Sequence, residues 1–292
     1  MEGRFEDFAP VEPPIEVLAP PEQRIPLVLA SPHSGIAYPP DFLSLSRLDP
    51  HRLRRSEDSF VDEIFSAAVE LGAPLLRARF PRAYLDANRE PFELDPAMFE
   101  DELPEYVNSL SPRVQAGLGT IARVVATGED IYARKLRFAD ALRRVERLYH
   151  PYHRALGQLV QATRERYGYC ILLDCHSMPS AADRGHARRS VDIVLGDCHG
   201  SSCRHGLVEA AHRFLLARGY SVALNAPYAG GFTTGHYGRP AEGAHALQIE
   251  LNRALYMNER TLERKAFLAE LTRDMADLVA TLAALPAGAL RP

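Results

Sequence analysis

Short apolar runs of β type recur at 26–32, 170–175, 191–196, 221–225 and 245–250, and segments of helical spacing separate most of them. Alternation of strand and helix leaves few architectures open: the strands lie side by side in a parallel or mixed sheet and the helices cover both faces. The expected fold is therefore α/β, a mixed, largely parallel sheet sandwiched by helices. Between Asp58 and Leu71, apolar residues at Phe60, Val61, Ile64, Phe65, Ala68 and Val69 predict an amphipathic helix that Gly72 closes. A long helix is expected over 131–167, interrupted near Pro151, with further helices over 203–218 and 260–285. Segments 74–80 and 83–86 are two more short strand candidates, and 89–127, rich in Pro and acids, reads as an excursion over the sheet. Residues 1–25, with Pro10, Pro13, Pro14, Pro20 and Pro21, read as an extended lead-in, and 26–292 as a single catalytic domain.

With 292 residues, 46% of them hydrophobic, the chain has enough apolar surface for a large core. Its net charge of −4 argues against a general polyanion binder, so nucleic acid is not an expected partner. No stretch is apolar enough to span a bilayer, and Met1 to Asp7 lacks the basic-then-apolar order of a signal peptide, so the expected location is the cytoplasm, away from membranes. Cys170, Cys175, Cys198 and Cys203 are too few for a disulfide scaffold of this size; the first two, on a predicted strand, read as small hydrophobes. A structural zinc built from all four is a lesser reading.

Two histidines sit in polar breaks straight after β-type runs: His33 in Ser31-Pro32-His33-Ser34-Gly35 and His176 in Asp174-Cys175-His176-Ser177. Side chains just past the carboxyl ends of strands converge on one crevice in an open α/β sheet, so residues this far apart in sequence can meet. A catalytic zinc takes two His and one carboxylate and keeps a fourth position for water. Taken singly, each histidine has a structural reading, as a hydrogen-bonded turn or as the end of a strand. The acids of Ser56-Glu57-Asp58-Ser59-Phe60-Val61-Asp62-Glu63 could supply the third ligand, although for that segment alone helix capping by solvated acids is the simpler reading.

Residues 225–240 are dense in glycine and polar groups, among them Thr233, Thr234, His236, Tyr237 and Arg239, more than a plain turn requires, and they read as a substrate-binding loop. Glu250 ends an otherwise apolar strand, where a carboxylate beside a metal-bound water can act as general base. Asp86-Ala87-Asn88-Arg89 also follows a strand candidate and could grip an anionic substrate; for Arg89 a surface salt bridge is the competing reading.

These blocks, together with Gly230-Gly231-Phe232-Thr233-Thr234-Gly235-His236-Tyr237-Gly238-Arg239-Pro240 and Gln248-Ile249-Glu250-Leu251, resemble the N-formylglutamate amidohydrolases over residues 26 to 260. The resemblance implies a fold similar to zinc carboxypeptidases, one Zn2+ per chain, and hydrolysis of a small-molecule N-acyl amino acid, N-formyl-L-glutamate giving formate and L-glutamate in histidine breakdown. It implies His33, Asp58 and His176 as zinc ligands, Glu250 as general base, and Asn88 with Arg89 as the pair holding the substrate carboxylate. Carboxypeptidases draw a Glu three residues after the first His, whereas Ile36 stands there in this chain. The acid must therefore come from elsewhere, and Glu57 or Asp62 competes with Asp58. Arg82, Arg239 or His236 would stabilise the oxyanion. Competing readings are a deacylase for another N-acyl amino acid and a non-catalytic binder of acidic amino acids. A serine hydrolase is weaker, because no G-x-S-x-G elbow is present to hold Ser34 or Ser177 as nucleophile.

Overall fold

The computed structural model describes residues 11–180 and 191–290. The start of the chain, Pro10 included, on which the lead-in and leader readings partly rest, lies outside the described residues. The described residues gather into two compact units: one holds Gly35–Glu57 and Ala78–Tyr152 with residues 11–16, the other Val17–Ser34, Asp58–Arg77 and the described residues from His153 onward.

Among the described residues, seven strands form one sheet: β1 (Ile15–Leu18), β2 (Leu27–Ser31), β3 (Leu75–Ala78), β4 (Cys170–Met178), β5 (Ile193–Gly196), β6 (Val222–Leu224) and β7 (Ala244–Asn252), in the order β1-β3-β2-β4-β7-β5-β6. Pairing is parallel for β2 with β3 and β4, β4 with β7, and β5 with β6, and antiparallel between β5 and β7. This is the mixed, largely parallel α/β sheet expected from the alternating runs. β1 was not anticipated; its Ile15-Glu16-Val17-Leu18 run, bracketed by prolines, lies at a sheet edge, where missing N–H donors do least harm.

The two central strands show how the sequence separates core from site. Side chains alternate faces along a strand, and in β4 and β7 one set, Ile171, Leu173, Cys175, Leu247, Ile249 and Leu251, joins the main apolar core. Helices Val61–Ile64, His205–Ala217 and Leu268–Ala283 contribute Val61, Ile64, Leu207, Val208, Leu271, Met275, Leu278 and Leu282 to that same core. The other set turns polar toward the carboxyl end: Leu172, Asp174, His176 and Ala246, Gln248, Glu250, with Asp174 in register with Gln248 and His176 with Glu250.

Several element boundaries differ from expectation. The 58–71 helix is two single turns, Val61–Ile64 and Ala68–Leu71; between them Ser66, Ala68 and Val69 bond carbonyls three residues back, so the coil tightens. Its buried face survives, with Val61, Ile64, Phe65 and Ala68 all in the core. The 131–167 helix begins at Phe138 and passes through a π-turn at Val145–Tyr149 before His150–Tyr167. Pro151 offers no N–H and its ring would crowd the carbonyl four residues back, which the wider π-turn accommodates. Ala83–Asp86 is not a strand: Tyr84 and Leu85 both bond the Pro81 carbonyl, a turn that the proline initiates.

The first unit has a smaller core of Phe42, Leu48, Leu53, Ala83, Ala122, Val125 and Ile131. Beside it the buried Arg144 guanidinium lies 4.0 Å from the Tyr84 ring centroid and donates to the Tyr84 carbonyl and, at 2.7 Å, to the Tyr132 hydroxyl. Arg144→Ala removes a desolvated cation–π contact and two charge-assisted bonds, and about 3 kcal/mol of stability should go with them. Denaturant unfolding measures this, and a loss under about 1 kcal/mol would contradict the assignment.

Candidate metal centre and its surroundings

β2 ends at Ser31, and the chain then turns through Pro32 to place His33. The Asp58 N–H donates to the His33 carbonyl at 3.0 Å, and the Ser34 hydroxyl donates to the Asp58 carbonyl at 2.9 Å while accepting from the Asp62 N–H at 3.2 Å. The turn carrying Asp58 is thereby fastened to the strand end carrying His33. His176 comes from β4, but not from a break after it: the strand runs on to Met178, because the polar residues keep pairing with β7 and mark a change of face, not an end.

His33, Asp58 and His176 are buried and turn one ligand atom each toward a common point. Asp58 Oδ2 lies 3.2 Å from His33 Nδ1 and 3.1 Å from His176 Nδ1, and the two Nδ1 atoms are 3.2 Å apart. Donors held about 2.0–2.1 Å from a tetrahedral zinc are spaced about 3.3–3.4 Å, so the triangle has close to the size of one face of a zinc site. His176 Nε2 lies 2.8 Å from Asp174 Oδ1, whose other oxygen accepts from the Thr234 hydroxyl at 3.0 Å. In the neutral ring, a proton held on Nε2 by Asp174 leaves Nδ1 a lone pair facing a carboxylate oxygen and a second imidazole nitrogen, a donor set suited to a cation.

Of the rival acids, Glu57 accepts from the Tyr38 hydroxyl at 2.7 Å and from Arg54, and Asp62 pairs with Arg77 at 2.7 Å. Asp58 is the acid that the turn brings to the two imidazoles. Glu250, buried, faces the same side of the sheet as His176 beside it, and accepts from Gln248 Nε2 at 2.9 Å. The Gln248 amide is itself oriented by the Gly231 N–H, which donates to its Oε1 at 2.8 Å.

The 225–240 segment is less a loop than expected, since Phe232–Tyr237 forms a short helix. Thr233 and Thr234 are buried, Tyr237 bonds His153, and His236 and Arg239 are exposed. In the first unit Arg82 Nε donates to Asp86 Oδ2 at 2.9 Å, and the Asn88 N–H donates to Asp86 Oδ1 at 2.8 Å. Arg89 is buried instead of carrying a surface salt bridge: Nε donates to the Leu118 carbonyl and Nη1 to the Asn88 carbonyl, and burial lowers its pKa despite the nearby Asp86.

Sequence reasoning weighed Ser177 only as a nucleophile and passed over Arg253. Ser177 and Arg253 Nη2 donate to Asp58 Oδ1 at 3.1 and 3.0 Å. The only available signal was an arginine placed directly after a buried strand. The Ser34 and Ser177 hydroxyls are both engaged around Asp58, which disfavours either as nucleophile.

Electrostatics at the centre follow from these contacts. Burial pushes the Asp58 carboxyl up, but hydrogen bonds from His176 and His33 and the Arg253 charge outweigh it and hold Asp58 well below the usual carboxylate range. Burial depresses the His176 imidazole, yet Asp174, Asp58 and Glu250 together lift it well above its ordinary value. A raised His176 pKa means that an entering cation competes with a proton for Nδ1, so uptake releases protons and affinity rises with pH. Calorimetric titration in two buffers of different ionisation enthalpy should give different heats at pH 7; identical heats would contradict this.

A profile of the N-formylglutamate amidohydrolase family matches residues 25–257. The chain is 29% identical to an N-formylglutamate deformylase of Pseudomonas putida, over 84% of this chain and 86% of that one. It is also 29% identical to an N-formylglutamate deformylase of Pseudomonas aeruginosa, over 88% and 92%. The crystal structure of N-formylglutamate amidohydrolase from Ralstonia eutropha JMP134 superposes with a TM-score of 0.87 at 40% identity, covering 92% of this chain and 97% of that one.

Proposed function

Because the chain belongs to the N-formylglutamate amidohydrolase family, we propose that it hydrolyses N-formyl-L-glutamate to formate and L-glutamate with one Zn2+ held by His33, Asp58 and His176. The observation that carries this reading is the buried His-Asp-His triangle, a two-imidazole, one-carboxylate donor set of the kind found in catalytic zinc sites. Bound there, zinc would supply Lewis-acid polarisation of the amide carbonyl and a water acidified to a pKa of about 7.

The chain's own groups do the rest. Glu250, on the same face as His176 and steadied by Gln248, takes a proton from the attacking water and returns it to the departing amine. Asp174 and Thr234 hold the His176 ring in one tautomer and orientation. Asn88 and Arg89 are assigned to the substrate carboxylate, and Thr233, Thr234, His236, Tyr237 and Arg239 to the remainder of the substrate, on the strength of the family's motifs. Arg82 is assigned to the oxyanion; a quarter of its side-chain surface is exposed, and its bond to Asp86 pre-orients the guanidinium.

The reading is tested by loading purified protein with zinc and comparing N-formyl, N-acetyl and N-succinyl derivatives of glutamate, aspartate and glutamine. N-formyl-L-glutamate should give the highest kcat/KM. Preference for a longer acyl group would reassign the chain to a different deacylase, and binding without turnover would make it a binding protein. No helix among the described residues is long and apolar enough to cross a membrane.

A further inference from the structure

Resting on the metal reading above, we propose that Ser177 and Arg253 are positioning residues that tie off one oxygen of Asp58, so that its carboxylate offers the ion a single ligand atom and a coordination position stays open for water.

The two oxygens of Asp58 have different surroundings. Oδ2 faces the His33 and His176 nitrogens at 3.2 and 3.1 Å. Oδ1 accepts from Ser177 Oγ at 3.1 Å and from Arg253 Nη2 at 3.0 Å. Arg253 Nε also donates to Ser177 Oγ at 3.1 Å. That contact fixes the direction of the chain of bonds: a guanidinium only donates, so Ser177 accepts from Arg253 and its one proton goes to Asp58.

Burial makes the arrangement costly to ignore. Side-chain exposure is 1% for Asp58 and 7% for Arg253, so the ion pair is removed from water and its geometry is held by two further bonds. A carboxylate with both oxygens free can bind a cation through both and fill two positions. Here the second oxygen already has two donors, and turning it toward the ion would break the buried bonds that Arg253 Nη2 and the Ser177 hydroxyl make to it. His33, His176 and a one-oxygen Asp58 then make three ligands, the number that leaves a catalytic zinc its fourth position.

The experiment uses the full chain, stripped of metal and loaded with cobalt(II), whose visible absorption is strong in four-coordinate sites and weak at higher coordination. Wild type, Ser177→Ala and Arg253→Lys are compared by cobalt spectrum and by zinc affinity in a chelator competition, with circular dichroism confirming the fold. Ser177→Ala is a small truncation that keeps the fold testable should Arg253→Lys misfold. The wild type should give a strong four-coordinate spectrum. Both variants should bind zinc about 10–100-fold more weakly, the scale for losing a partner of a metal ligand, with a weakened cobalt absorption. Unchanged spectra in both variants would overturn the proposal even if affinity fell. A wild type that takes up no cobalt or zinc would instead defeat the metal reading on which it rests.

Discussion

Glu250→Gln should keep its metal and lose at least about a hundredfold in kcat, the scale of lost general base catalysis. The substitution is nearly isosteric and still lets the side chain pack beside His176 in the β4–β7 register. What it removes is the capacity to hold and release a proton. KM should change little, because the loss falls on an interaction made in the transition state. Gln248 offers Glu250 an N–H, and the variant can still accept it through its amide oxygen, so stability should hold. Near-normal turnover at full metal content would remove Glu250 from the role and direct attention to another base.

His176→Ala should abolish metal retention and activity together. The variant deletes one of three ligand atoms and strips Asp174 of its 2.8 Å imidazole partner, while the buried carboxylate still accepts from Thr234. Loss of the ion removes several kcal/mol of transition-state stabilisation, a fall in kcat/KM of at least about a thousandfold. The fold should survive, since the side chain projects from the polar end of β4 and the apolar set Ile171, Leu173 and Cys175 is untouched. Wild-type rates in a metal-depleted His176→Ala protein would end the metal account.

Much of the fold was legible because strand and helix periodicities are short-range signals. The runs around 26–32 and 170–175 and the apolar stripe at Val61, Ile64 and Phe65 did locate elements and core. Boundaries were less legible where a tertiary contact decided them. The reading that placed His176 after its strand took a polar residue for an ending, whereas β7 supplies hydrogen-bond partners that carry the strand on to Met178. The 83–86 segment looked like a strand by composition but is turned by Pro81.

The histidine pair was visible from its placement after apolar runs, whereas spacing left the acid open and only the family resemblance favoured Asp58. Glu57, Asp58 and Asp62 are equivalent by spacing; what separates them is that Asp58 is fastened to His33 and Ser34 while the other two are engaged by Arg54 with Tyr38 and by Arg77. Such a choice depends on contacts between residues far apart in the chain. The contacts of Ser177 and Arg253 with Asp58 were hidden for the same reason: nothing in their local sequence reports the Oδ1 atom they share.

The most direct test is to titrate the metal-free chain with zinc and count the ions held, alongside the same titration of Asp58→Asn. The account predicts one tightly bound zinc per chain, and a large loss of affinity when the carboxylate becomes an amide. No zinc uptake by the wild type, or uptake indifferent to the substitution, would contradict it.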